Sequence, residues 1–187
     1  GICLLFLWIY SSMKHILLYE SFESEPIRKV FGREQLSWLD KCTTGSWKYN
    51  PSTGKVDVKG IFNCQFQDLT DFKGVEFGDV TETFRCSHNK LTSLAGSPEY
   101  VGEAFWCEDN RLTSLEGGPR IVGDKYSAHA NEIVSLEGLP ERRVGIGYQS
   151  VNLRNNPVSA GTFSTLINEM WKGDGMSYAD AIKSKWS

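Results

Sequence analysis

Ser87, Glu108 and His129 follow one another at intervals of 21 residues, and they are the types that a hydrolase uses as nucleophile, acid and base. If that interval is a structural repeat, the three occupy one slot on neighbouring strands, which lie about 4.8 Å apart. Ser87 and His129 are then two strands apart, roughly 9–10 Å, whereas a nucleophile must stand within about 2.6–3.2 Å of its base. Glu108 also falls between them, where a triad needs the base. No catalytic residue is therefore assigned, and the chain is expected not to be an enzyme.

Cys64, Cys86 and Cys107 recur at the repeat period, 22 and 21 residues apart. Zinc would need convergent thiolates and a fourth ligand. Each of these Cys stands two residues after Phe62, Phe84 or Phe105, so it shares that residue's strand face and points inward beside it. The expected role is a structural ladder of small buried hydrophobes. In-register neighbours on parallel strands suit a disulfide badly. With Cys3 and Cys42 left over and no pairing logic, the thiols fit a reducing compartment. His88 and His129 fall in different slots on strands that are not neighbours. No metal and no cofactor is expected.

The elements that must position these residues come from the repeat itself. FNCQFQDLTDFKGVEFG from Phe62, FRCSHNKLTSLAGSPEYVG from Phe84, FWCEDNRLTSLEGGPRIVG from Phe105 and YSAHANEIVSLEGLPERRVG from Tyr126 start 22, 21 and 21 residues apart. VNLRNNPV from Val151 is a looser fifth copy. Self-similarity at such a period marks a stacked coil. In each copy a short strand carries an aromatic and a Cys inward, and an Asn stands where the chain turns inward: Asn89, Asn110 and Asn131. Their amides can bond backbone groups that would otherwise be buried unpaired at roughly 1–3 kcal/mol each. Leu91, Leu112 and Ile133, then Leu94, Leu115 and Leu136, fill the interior. Gly and Pro close the coil, which leaves little room for a helix on its outer side.

FRCSHNKL, FWCEDNRL, YSAHANEI and VNLRNNPV match the LxLxxNxL core of the leucine-rich repeat, and the chain resembles that family. With WLDKCTTGSWKYNPSTGKVDVKG and the ending NPVSAGTFSTLINEMW, it resembles more narrowly the leucine-rich-repeat-like proteins of tailed phages and marine metagenomes. MKHILLYESF, from Met13, is similar to the start of many small phage proteins. The resemblance implies a short leucine-rich-repeat stack, an α+β repeat solenoid, and supplies no activity. Gln67 in the Asn slot of the first copy and Ala128 in the Cys slot of the fourth depart from the pattern.

The outward slots form three columns. Asn63, Arg85, Trp106, Ser127 and Asn152 make the first; Gln65, Ser87, Glu108, His129 and Arg154 the second; Phe66, His88, Asp109, Ala130 and Asn155 the third. Neighbours within a column should touch, so Arg85 is expected against Trp106, Glu108 against His129, and His88 against Asp109. An exposed Trp106 at the centre, with Arg85, His88, Glu108, Asp109, His129, Asn152 and Arg154, suits recognition of a protein partner. The bland alternative is a solvated face with Trp106 covered by a loop or by the leader. A structural, virion-associated protein is the second reading, and a small-ligand sequestering protein or enzyme the least supported.

The rest of the chain bounds these readings. At 187 residues, 40% hydrophobic and 23% charged, it should build a packed core rather than remain disordered. The net charge of −3 offers no field for a nucleic acid backbone. The apolar run from Ile2 to Tyr10 is nine residues long, against about 20 for a membrane span, and it lacks the marks of a signal peptide. Residues 1–33 are read as an apolar start and flexible leader in which Met13 could be the true start. Residues 34–60 are read as an N-terminal cap of one helix, from Glu34 to Cys42 and stopped by Thr43, Thr44 and Gly45, plus a β-hairpin around Pro51–Gly54. Residues 61–158 are the solenoid, with one parallel sheet of about five strands, and 159–187 a C-terminal helical cap. A monomer is expected, in the cytoplasm of an infected host cell or associated with virions.

Overall fold

The computed structural model describes residues 30–140 and 150–158. The chain divides into two compact units, Gly1–Asp40 and Lys41–Ser187. The first contributes most of α1 (Arg33–Cys42). At its start the Gln35 Oε1 accepts the Gly32 N–H at 2.8 Å, half of a capping box. Glu34 in its first turn and Lys41 in its last suit the helix dipole. Leu36, Trp38 and Leu39 are buried.

The second unit opens with an antiparallel hairpin of β1 (Thr43–Asn50) and β2 (Lys55–Asn63), in register from Thr43 opposite Phe62 to Asn50 opposite Lys55. Thr43–Gly45 thus starts a strand at once rather than forming a separate stop. Gly45 and Gly60 face each other across the pair. A Cβ on Gly45 would lie 2.2 Å from the Lys59 carbonyl oxygen, so no side chain fits there.

β2 is long enough to begin two ladders. Its first half pairs in parallel with β3 (Phe77–Val80), and its end pairs with β4 (Phe84–Arg85). One ladder continues through β5 (Tyr100–Val101) to β7 (Ile121–Val122). The other runs from β4 through β6 (Phe105–Trp106) and β8 (Lys125–Ser127) to β9 (Ser150–Asn152). The chain is a parallel-strand β-solenoid. The expected parallel ladder of about five strands is β2–β4–β6–β8–β9, and the sheet extends beyond it: a second parallel ladder, β3–β5–β7, joins at β2 and lies on the return path. Its β5 and β7 are two residues each, too short for an alternating pattern to register.

Inside the coil the repeated aromatics stack. Ring centroids are 5.3 Å apart for Phe62–Phe84, 5.7 Å for Phe84–Phe105 and 5.3 Å for Phe105–Tyr126. Phe72 and Phe77 meet Phe84 edge-on. Leu91, Leu94, Leu112, Leu115 and Ile133 are fully buried beside this column. Among the described residues no helix is long and apolar enough to cross a membrane. The start of the chain with Met13, and the expected C-terminal helical cap at 159–187, lie outside the described residues.

Candidate binding face

Each coil reaches the face the same way. After the inward Cys or its substitute come one outward residue, one residue with left-handed backbone, and the Asn. The left-handed residues are Phe66, His88, Asp109, Ala130 and Asn155, with φ between 51° and 57°. The third column is therefore a recurring bend and not a continuation of the strand. Backbone pairing carries on through it: the His88 N–H donates to the Glu108 carbonyl at 3.0 Å and the Asp109 N–H to His129 at 3.1 Å.

The Asn side chains lock the bend. The Asn110 amide donates to the carbonyls of Cys86, Cys107 and Glu108 at 3.1, 3.1 and 3.2 Å, while its oxygen accepts the Leu91 N–H at 3.0 Å. Asn131 repeats this set one coil on, taking the Leu112 N–H at 3.1 Å. The Asn89 oxygen accepts two N–H groups, of Gln67 at 3.0 Å and Leu69 at 3.1 Å. Asn156 completes the ladder on the Ile133 N–H at 3.0 Å. It occupies the Asn slot of VNLRNNPV, so the pattern could have named it. Gln67 departs as its residue type demands: its amide donates to the Cys42 sulfur at 3.3 Å.

Cys64, Cys86 and Cys107 are inward and fully buried. Burial is the largest cause that pushes each thiol well above its ordinary range. The Glu108 carboxylate adds to the rise at Cys107 and at Cys86. Among the described residues no group of three or more His, Cys, Asp or Glu could hold a metal ion.

On the outward side, Arg85 and Trp106 are register partners. His88 Nδ1 meets Asp109 Oδ2 at 3.1 Å, both half-exposed. Phe66, 74% exposed, stacks on the His88 ring at 4.3 Å and an interplanar angle of 9°. Asn152 is partly buried, and Arg154 and Asn155 are exposed.

Two expectations are corrected. Trp106 is partly buried and not exposed, since Arg85 and Ser127 flank it on the paired strands. Glu108 and His129 are not bonded to each other. His129 Nδ1 instead meets the Ser127 hydroxyl at 3.0 Å and the Asn152 amide nitrogen at 3.2 Å. The Asn152 oxygen accepts the Arg154 N–H at 3.3 Å, which turns the amide nitrogen toward the ring. Ser127 belongs to this cluster through the column spacing alone, a position that its small size concealed.

Glu108 is 8% exposed and Ser87 is fully buried. Glu108 Oε2, Ser87 Oγ and Arg85 Nε are buried without a hydrogen-bond partner among the described residues. Comparison of the chain with protein-family models, curated proteins and solved structures finds no match.

Proposed function

We propose that the chain is a non-enzymatic protein-binding module of the leucine-rich-repeat type, phage-encoded, which docks a protein partner through the outward columns of its β4–β6–β8–β9 ladder. The observation that carries this reading is the pattern of commitment. The Asn, Cys and aromatic slots are occupied by groups bonded or packed within the coil, while Arg85, Ser87 and Glu108 hold polar atoms without a hydrogen-bond partner among the described residues. Buried polar groups without partners are costly in a free protein, at roughly 1–3 kcal/mol each, and gain when a partner supplies the missing bond. With the end of β2 beside β4, five strands at about 4.8 Å make a face about 20 Å long. Trp106 and Arg85 at its centre are of the types that dominate binding energy.

The test is capture of a partner from infected-cell lysate, with the Trp106→Ala, Arg85→Ala double variant beside the unaltered chain. Loss of one specific captured protein, with the circular dichroism spectrum and melting temperature kept, supports the reading. Unchanged capture refutes it. Mass spectrometry of purified particles tests the location, since a binder of host proteins should be absent from virions.

A further inference from the structure

We draw no further inference here: the strongest candidate, the exposed Phe66 ring stacked on His88 with Asp109 beyond it, on the left-handed bend along the edge of the β4–β6–β8–β9 ladder, is a surface patch for which nothing in the structure shows what covers it.

Discussion

Replacing Asn110 by Ala measures what the Asn ladder contributes. A naive count removes four hydrogen bonds, but the groups left behind are not equally stranded. The Cys86 carbonyl still accepts the Asn89 amide at 3.0 Å, Cys107 the Asn131 amide at 3.0 Å, and Glu108 the His88 N–H at 3.0 Å. Only the Leu91 N–H loses its sole partner. One orphaned donor costs about 1–3 kcal/mol, and three half-satisfied carbonyls lose a share of about 1 kcal/mol apiece. Asn110→Ala should thus cost about 3–5 kcal/mol, well below the roughly 4–12 kcal/mol of four full orphans. In Asn89→Ala the Leu69 N–H and the Cys64 carbonyl both lose the side-chain partner that holds them, at 3.1 and 2.9 Å, and the variant should cost about 1–3 kcal/mol more than Asn110→Ala. Urea titration followed by circular dichroism reads the order directly, with slopes of about 1–3 kcal/mol per molar. A loss below about 1 kcal/mol for Asn110→Ala, or an Asn89→Ala variant no weaker than it, would refute the argument that orphaned donors set the cost.

Three further outcomes follow from the geometry. Cys64, Cys86 and Cys107 are buried with thiols pushed up by burial; in a Cys3→Ser background they should resist iodoacetamide at pH 8 and react once urea unfolds the chain. Native labelling of any of the three would contradict the inward ladder. Burial first, then the Asp57 and Glu99 carboxylates, raise the Asp79 pKa, against a lowering by Lys55. The folded state thus binds this proton more tightly than the unfolded one, and stability falls as pH rises from the ordinary aspartate value through the raised one. Asp79→Asn should therefore raise the melting temperature at pH 7, with the gain vanishing below about pH 3.9; a gain that persists in acid would point to another cause. A Cβ on Gly123 would lie 1.9 Å from the Gly102 carbonyl oxygen, whereas one on Gly54 meets nothing within 4 Å. Gly54→Ala, at φ 74°, should cost only the left-handed penalty of about 1–2 kcal/mol, while Gly123→Ala should force the coils apart and cost several times more in the same urea titration.

What the sequence disclosed was whatever recurs. The inward aromatic, Cys and Asn slots were readable because the coil demands the same chemistry at every turn, and the Asn110 and Asn131 bonds repeat each other group for group. The return ladder was not readable, because pairs such as Tyr100–Val101 are too short to show alternation.

The face was half readable, for a related reason. Column spacing places His88 against Asp109, and the two meet at 3.1 Å. It does not say how side chains of unequal length share the space between columns. Glu108 stands beside His129 in sequence register, yet the small Ser127 and the reaching Asn152 take the imidazole. Glu108 is left buried, with one oxygen lacking a hydrogen-bond partner among the described residues. Repetition specifies the coil because every copy must satisfy the same backbone. The outward columns escape that constraint, so they are where the copies differ.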